Sequence, residues 1–329
     1  MTDAGRIAAR DLVVEFRGRR EGTVRAVDVV DLDVEPGEVF CIAGESGCGK
    51  TTLGRAILGL VRPTSGSVTI GGIDPSEARG RDLKALRRNA QMIFQDPMGS
   101  LNPRHTIYEI VAEPIRIHGV PGDERALVAE ALSHVGLRPA ERFFLSYPHE
   151  LSGGQRQRVV VAAALVLQPK ILIADEPVSM LDASVRGEIL RLLVDLKREL
   201  DMTLVVITHD LGVAWSMATR VGVMYLGRMV EAGTVDRVLL DPAHPYTRAL
   251  VEVAPEIGVR RRQQVLLGEP PDAGVIPSGC RFHPRCPRLK AGLPAAVEVR
   301  CREEDLTMVE IEPAHSVACH PAISRIQHR

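Results

Sequence analysis

The sequence predicts an α/β fold with an antiparallel β subdomain, an inserted helical subdomain and a small, loop-rich C-terminal domain. Short β-rich runs alternate with turn signals between residues 12 and 70, which is typical of strands joined by hairpins. Residues 101–169 read as helical segments separated by prolines, without a clear strand. Further on, strand-like runs alternate with a helix, an order that favours a parallel sheet. These runs are ILIA (171–174), LVVIT (204–208) and VGVMY (221–225).

A strand–loop–helix unit is the most distinct local feature. VFCIAG (39–44) reads as a strand, a glycine-rich turn follows, and TTLGRAILGL (51–60) has apolar residues at helical spacing. A second helix is predicted at about 184–200. Past residue 242, Pro, Arg and Gly accumulate and helical periodicity fades, which indicates a separate C-terminal domain.

Composition excludes several classes of protein. The 329 residues carry 41 Lys and Arg against 42 Asp and Glu, so a net charge of −1 gives no field that would attract nucleic acid or an anionic membrane. No apolar run reaches the roughly 18–20 residues that span a bilayer, and no secretory signal is visible at the start of the chain. We therefore expect no nucleic-acid partner and a reducing, cytoplasmic location, where six cysteines favour metal binding or core positions over disulfides.

The segment GESGCGKT (44–51) matches the phosphate-binding P-loop pattern G-x-x-x-x-G-K-[ST], between a strand and a helix as the motif requires. Its backbone N–H groups can surround phosphate oxygens. In this pattern Lys50 reaches the β- and γ-phosphates and the Thr51 hydroxyl ligates Mg²⁺. A chance glycine turn before a helix is the alternative, and the strand–loop–helix context disfavours it.

Two acids follow the hydrophobic run ILIA. Asp175 would orient Mg²⁺, directly or through water, and Glu176 would act as general base on the attacking water. Adjacent acids at the end of a strand can also be solvated turn residues. Their combination with a P-loop favours the catalytic interpretation.

With LSGGQ (151–155), the chain resembles the ATP-binding-cassette ATPases. The resemblance covers about residues 8–240 and rests on five motifs in the family's order. It implies a P-loop (RecA-like) cassette ATPase core. We assign this core to 1–95 and 165–240, the helical signature subdomain to 96–164 and the C-terminal domain to 241–329. The five motifs are the P-loop, Gln95 after QMIF, LSGGQ, ADE (174–176) and His209 in ITHD.

The resemblance also implies roles for individual residues. Glu176, His209 and Gln95 would be catalytic, and Thr51, Gln95 and Asp175 would hold Mg²⁺. Phe16 would stack on adenine, although a simple core position is the alternative for a single aromatic residue. The residues implied in ATP binding are Phe16, Gly44, Glu45, Ser46, Gly47, Cys48, Gly49, Lys50, Thr51, Thr52, Gln95, Ser152, Gly153, Gly154, Gln155, Asp175 and Asp182.

A second phosphate site is implied at the signature motif. Ser152 begins a helix whose free N–H groups can bind phosphate. In the family, each ATP lies between one subunit's P-loop and the other's LSGGQ. We therefore expect a head-to-tail dimer with a second copy or with a paralogous ATPase.

Four longer stretches are more specific: IFQDPMGSLNPR (93–104), DEPVSMLDASVR (175–186), HPYTRAL (244–250) and CRFHPRCP (280–287). They resemble the oligopeptide/dipeptide importer ATPases over nearly the whole chain. The resemblance implies a peripheral subunit on the cytoplasmic face of the membrane that drives peptide import. Its expected partners are two permease subunits and an extracytoplasmic substrate-binding protein. Nickel or other small-solute importers use the same type of ATPase and stay open as alternatives.

Four cysteines are confined to the last fifty residues, with the spacing C-x5-C-x14-C-x17-C. This spacing differs from the C-x2-C pairs of common zinc folds. Some members of the importer group that this chain resembles are known to hold a [4Fe-4S] cluster at these cysteines, and we expect one here, with zinc and unmetallated thiols as alternatives. Cys41 and Cys48 are read as non-ligands. The four expected ligands are Cys280, Cys286, Cys301 and Cys319.

One residue departs from the family pattern. Ala163 stands where the helix after LSGGQ usually carries arginine. This leaves open a catalytically weak subunit that binds ATP mainly for closure, although Lys50, Asp175, Glu176 and His209 are all present. A soluble cassette protein acting on ribosomes or in DNA repair is disfavoured, because one cassette and no heptads are found.

Overall fold

The computed structural model describes residues 3–17, 22–254 and 274–326. Its strands are β1 Ile7–Arg17, β2 Thr23–Val34, β3 Val39–Ala43, β4 Ser65–Ile70, β5 Ala90–Ile93, β6 Ile171–Asp175, β7 Thr203–Thr208, β8 Arg220–Tyr225, β9 Arg228–Thr234, β10 Val309–Glu312 and β11 His315–Val317. Its α-helices are α1 Lys50–Ile57, α2 Gly80–Asn89, α3 Pro97–Ser100, α4 Ile107–His118, α5 Glu124–His134, α6 Gly153–Leu165, α7 Ala183–Glu199, α8 Leu211–Met217, α9 Val235–Leu240, α10 Pro245–Val253, α11 Pro287–Lys290, α12 Ala295–Glu303 and α13 His320–Ile326.

The chain divides into two compact units. The first, called here the signature unit, comprises Met1–Ile7, Val34–Glu38 and Thr69–Val206. The second, called the P-loop unit, comprises Ala8–Asp33, Val39–Val68 and Ile207–Arg329. The domains predicted from the sequence, 1–95 with 165–240, 96–164 and 241–329, have other boundaries than these two units. They stay predictions.

The P-loop unit contains two sheets. One has the strand order β2-β1-β4, and the other contributes β10-β11-β9-β8-β3 in that order. Strands β3 and β8 are parallel, with Cys41 opposite Val221, whereas β8–β9, β9–β11 and β10–β11 are antiparallel. The parallel pairing predicted for this part of the chain is confirmed, and the C-terminal strands β10 and β11 extend the same sheet.

The core of the P-loop unit includes residues from both ends of the chain. Cys41 of β3 and Tyr225 of β8 lie in one buried cluster with Tyr246 and Phe282 of the C-terminal region. The Tyr225 and Tyr246 rings lie 4.6 Å apart, and Phe282 lies 5.3 Å from Tyr225 and 5.4 Å from Tyr246. The C-terminal region therefore shares the core of the strand that precedes the P-loop.

In the signature unit, strands have the order β7-β6-β5, and β5 and β6 are parallel with Ile93 opposite Ala174. Helices α3 to α6 occupy most of residues 97–165 and no strand lies there, as the sequence predicts. Thr106 starts α4 with a reciprocal capping box to Glu109, and Gly119 ends it in a left-handed conformation. Among the described residues, no helix is both long and apolar enough to cross a membrane.

Candidate functional site

The P-loop occupies the turn between β3 and α1, and two of its glycines are required by close backbone contacts. Gly49 has φ +107°, and a Cβ there would lie 2.0 Å from the Ala26 carbonyl oxygen. Gly44 has φ +151°, and its Cβ would lie 2.3 Å from the Met224 carbonyl oxygen. Any other residue at these positions would push the loop away from β2 and β8.

Lys50 is buried at the start of α1, with 5% of its surface exposed. Its Nζ donates to the carbonyl oxygens of Gly44 at 2.8 Å and Glu45 at 2.9 Å. The loop therefore curves around the ammonium group, while Ser46 and Gly47 are exposed at its tip. This closed loop places the lysine charge next to backbone N–H groups, as phosphate binding requires.

His209 and Phe16 also belong to the P-loop unit. His209 is exposed directly after β7, and Asp210 caps α8 by accepting from the Gly212 N–H at 2.8 Å. The cap fixes the turn that presents His209. Phe16 is 44% exposed at the end of β1, which excludes the core position considered for it and leaves its ring accessible for stacking.

Gln95, Asp175 and Glu176 belong to the signature unit. Gln95 follows β5, Asp175 ends β6 and Glu176 comes directly after it. Because these strands are parallel neighbours, the three residues lie at one edge of the sheet. Asp175 is 1% exposed, so it is not a solvated turn residue. Glu176 is half-buried and has φ +49°. The structure thus brings together the predicted Mg²⁺ ligands of this unit and the predicted base.

The signature motif begins α6 with a capping box. Ser152 Oγ accepts from the Gln155 N–H at 3.3 Å, and Gln155 Oε1 accepts from the Ser152 N–H at 2.9 Å. The first N–H groups of an α-helix have no acceptor within the helix, so those of Gly153 and Gly154 suit an anion. A Cβ at Gly154 would lie 2.7 Å from Val185 Cγ1, so this glycine also lets α6 approach the start of α7.

The segment that precedes α7 contains Asp182. Its carbonyl oxygen accepts from the Val185 N–H at 3.0 Å and the Arg186 N–H at 3.0 Å, and its side chain is exposed. Arg186 Nε also donates to the Leu181 carbonyl oxygen at 2.8 Å. Packing of Gly154 against Val185 therefore places this segment beside the signature motif.

Two C-terminal side chains contact the P-loop, although neither residue is predicted from the sequence to belong to the site. Tyr246 OH accepts from the Glu45 N–H at 2.9 Å, and Arg285 pairs with the Glu45 carboxylate at 2.9 Å. Both residues lie in stretches recognised only as family markers, HPYTRAL and CRFHPRCP. No local signal links them to Glu45, which lies 201 residues before Tyr246 and 240 before Arg285.

The four C-terminal cysteines line one small cavity of about 20 Å³, together with His283 and His320. Burial raises the pKa of Cys280 to about 11, that of Cys319 to about 12 and that of Cys301 above its ordinary value. Among the described residues, no three His, Cys, Asp or Glu side chains come close enough to hold a metal ion. The four predicted cysteine ligands therefore line one cavity, but they do not form a preformed site for a single metal ion.

Cys41 and Cys48, in β3 and the P-loop, do not line this cavity. Burial raises the pKa of Cys41 to about 12 and raises that of Cys48 above its ordinary value. Their placement agrees with their interpretation as non-ligands.

Two family models match the chain. The model described as "ABC transporter" matches residues 27–179, and the model described as "Oligopeptide/dipeptide transporter, C-terminal region" matches residues 230–292. The first span includes the P-loop, Gln95, the signature motif and Asp175–Glu176. The second includes Tyr246 and Arg285.

Similar proteins match over most of their length. "Oligopeptide transport ATP-binding protein AppF" of Bacillus subtilis is 43% identical, with 92% of this chain and 91% of that protein covered. "Oligopeptide transport ATP-binding protein OppF" of Salmonella typhimurium is 46% identical, with 80% and 81% covered.

Solved structures of ABC-transporter proteins are also similar to this chain. A dimer of the ATP-binding cassette MJ0796, in a post-hydrolysis state bound to ADP and Pi, matches with a TM-score of 0.62 and 31% identity over 70% of this chain and 98% of that one. The cbiO1 subunit of the Clostridium perfringens transporter complex cbiONQ matches with a TM-score of 0.62 and 29% identity, over 71% and 90%.

Proposed function

This chain belongs to the ATP-hydrolysing subunits of ABC transporters, and from that premise we propose that it energises the import of di- or oligopeptides through separate membrane proteins. One observation carries the choice of substrate: residues 230–292 match the C-terminal region of oligopeptide/dipeptide transporters. Relatives 43% and 46% identical to this chain, named as oligopeptide transport ATP-binding proteins, support it.

We propose that the P-loop residues and the acids of the signature unit act on one ATP. Lys50 and the loop N–H groups bind the β- and γ-phosphates, and Thr51, Gln95 and Asp175 hold Mg²⁺. When bound, Mg²⁺ neutralises charge on the phosphate oxygens. Glu176 accepts a proton from the attacking water, and His209 contacts the γ-phosphate. The local geometry within each unit, with Lys50 buried and Glu176 at the end of a strand, supports these roles.

The signature motif is proposed to act in trans. Ser152, Gly153, Gly154 and Gln155 would bind the γ-phosphate of an ATP held by a facing subunit, so that ATP binding closes the dimer. The capping box and the open first turn of α6 support this role. The dimeric form of the similar MJ0796 cassette supports the arrangement. The facing subunit is a second copy or a paralogous ATPase.

We further propose that the chain lies on the cytoplasmic face of the membrane, bound to two permease subunits. An extracytoplasmic substrate-binding protein would deliver the peptide to them. The relatives' names place them in transport systems, which supports membrane partners for this chain.

For the cysteine cavity we propose a [4Fe-4S] cluster held by Cys280, Cys286, Cys301 and Cys319. Four thiols around one cavity match the donor set of such a cluster. His320 also lines this cavity, and its Nδ1 is buried without a hydrogen-bond partner among the described residues. Zinc, which takes four sulfurs at about 2.3 Å from one centre, is the alternative group for the same four cysteines.

The transport function is tested by reconstitution. The chain is purified with its co-expressed permease subunits, placed in proteoliposomes and supplied with the matching binding protein. We expect labelled tripeptide to accumulate and to stimulate ATP hydrolysis, with neither effect in a Lys50→Ala complex. Stimulation by Ni²⁺ or an oligosaccharide but by no peptide would contradict peptide import.

A further inference from the structure

Arg285 makes a two-point contact with the P-loop. Its Nη1 donates to Glu45 Oε2 at 2.9 Å and its Nη2 to Glu45 Oε1 at 3.2 Å. The arginine side chain is 8% exposed and the glutamate 19%. A bidentate pair in this environment fixes both position and orientation of the carboxylate, unlike a solvated surface pair.

Aromatic residues hold Arg285 and the P-loop backbone in place. The guanidinium lies 5.9 Å from the centre of the Tyr225 ring, and Nη1 is 3.4 Å from the Tyr225 hydroxyl. Tyr246, which packs on Tyr225, accepts from the Glu45 N–H at 2.9 Å. Both the backbone and the side chain of Glu45 are therefore held, each by a different C-terminal residue.

A second arginine of the same CRFHPRCP stretch supports the loop from its other end. Arg281 is 7% exposed and donates to the Asp28 carboxylate and to the Leu226 carbonyl oxygen. The neighbouring Gly227 N–H donates to the Cys48 carbonyl oxygen at 2.8 Å. The stretch that contains Cys280 and Cys286 thus contacts the P-loop directly and through one intervening turn.

We propose that Arg285 and Tyr246 are positioning residues for ATP, which hold the P-loop in its binding conformation and make the C-terminal region a contributor to nucleotide affinity. A loop containing Gly44, Gly47 and Gly49 has high conformational freedom when nothing holds it. Fixing it before ATP arrives removes part of the ordering cost from the binding step. The idea rests on ATP binding by this chain but on no step of transport.

The test compares charge-neutral variants of the full chain. Arg285→Gln, Glu45→Gln and the double variant are measured for ATP affinity by calorimetry, for KM and kcat of hydrolysis, and for thermal stability without nucleotide. Arg237→Gln is the matched control, because Arg237 is also an arginine of the P-loop unit with a carboxylate partner, Glu312 at 2.6 Å, and is 56% exposed. Arg285→Lys tests whether charge alone is enough.

We expect the Kd for ATP to rise about tenfold in Arg285→Gln, Glu45→Gln and the double variant alike. KM should rise by the same factor with kcat within twofold of the wild type, because the contact acts before chemistry. Arg285→Lys should lie between Arg285→Gln and the wild type, and Arg237→Gln should match the wild type. Saturating ATP should also slow amide exchange across residues 283–290, since coupling between sites is reciprocal.

Three results would overturn the proposal. Affinity in Arg285→Gln within twofold of the wild type would show no positioning. Recovery of wild-type affinity in the double variant would trace the single effects to an unpaired buried charge. A lowered melting temperature with unchanged Kd would show a purely structural pair. Lys50→Ala, tested alongside, separates these results from a failure of the ATP site itself, because that variant must lose ATP whether or not Arg285 acts on the loop.

Discussion

Glu176 has a backbone conformation that few non-glycine residues adopt. Its φ is +49°, and its carbonyl oxygen accepts from the Ser179 N–H at 3.2 Å and from Ser179 Oγ at 3.1 Å. Such conformations persist where the surrounding turn fixes them. Here the turn separates two adjacent acids, because Asp175 continues the buried strand and Glu176 leaves it. One is suited to fixed metal coordination and the other to a reacting water.

Replacement of Lys50 by alanine should weaken ATP binding roughly 10- to 100-fold, the range expected for lost hydrogen bonds between a charged group and phosphate. The measurement is calorimetric titration of the full chain with ATP and Mg²⁺. Lys84→Ala is the control, because Lys84 is an exposed lysine of α2. Equal affinity of both variants and the wild type would remove Lys50 from the phosphate site.

At the scale of elements, the start of α6 combines two requirements. Ser152 and Gln155 satisfy each other as a cap, and Gly154 keeps α6 close to Val185 of α7. Gly154→Asp would therefore disturb packing as well as phosphate binding. Gly153 is the better site for a repulsive substitution, because a Cβ there meets only Leu181, at 3.6 Å, and Arg156, at 4.0 Å.

Gly153→Asp should leave ATP affinity of the monomer within twofold of the wild type, while hydrolysis falls at least 10²-fold, the order of effect of a lost transition-state contact. Binding is measured with dilute protein and hydrolysis at high concentration. If the motif acted in cis, binding would weaken as much as in Lys50→Ala.

If the facing subunit is a second copy of this chain, mixing two variants also distinguishes action of the signature motif in trans from action in cis. In a mixed dimer, the Gly153→Asp chain keeps its Glu176 and the Glu176→Gln chain keeps its signature motif. These two intact parts form one complete ATP site only if the signature motif acts in trans. The mixture should then regain hydrolysis that neither variant has alone. No recovery in dimers shown to be mixed would contradict the head-to-tail arrangement.

A separate prediction concerns the metal content of the C-terminal cysteine cavity. Cys286→Ser should abolish the brown colour and iron content of anaerobically purified protein, because one of the four proposed cluster ligands is lost. Cys41→Ala is the control, since Cys41 lies in the core of β3, and it should retain iron. Stoichiometric zinc without iron in the wild type would contradict the iron–sulfur cluster, although it would still indicate a metal site at these cysteines.

At the scale of the whole molecule, the elements that carry motifs could be predicted from sequence. The strands at 171–174, 204–208 and 221–225 correspond to β6, β7 and β8, and the helix at about 184–200 corresponds to α7. Each has a long periodic or continuously apolar pattern, which is a strong local signal. The elements β10 and β11 were not predicted, since they are four and three residues long and β10 is mostly exposed.

Those parts of the site that have a strong local sequence pattern could also be predicted from the sequence. Contacts between residues far apart in the sequence could not. The P-loop, the signature motif and the acids are contiguous in sequence, and their surroundings follow from neighbouring residues. The support of Glu45 by Arg285 joins residues 240 positions apart. Only the folded chain, in which Phe282 and Tyr246 enter the core beside β3 and β8, places that arginine at the loop.

We propose that this chain binds ATP through Lys50 and hydrolyses it through Glu176. The most direct measurement is the nucleotide content and turnover of Glu176→Gln, in which the amide keeps the shape of the carboxylate and loses its basicity. After incubation with ATP and Mg²⁺, this variant should retain unhydrolysed ATP and turn over roughly 10²- to 10⁴-fold more slowly than the wild type, the range for loss of a general base. Turnover at the wild-type rate, with ADP as the retained nucleotide, would contradict the account.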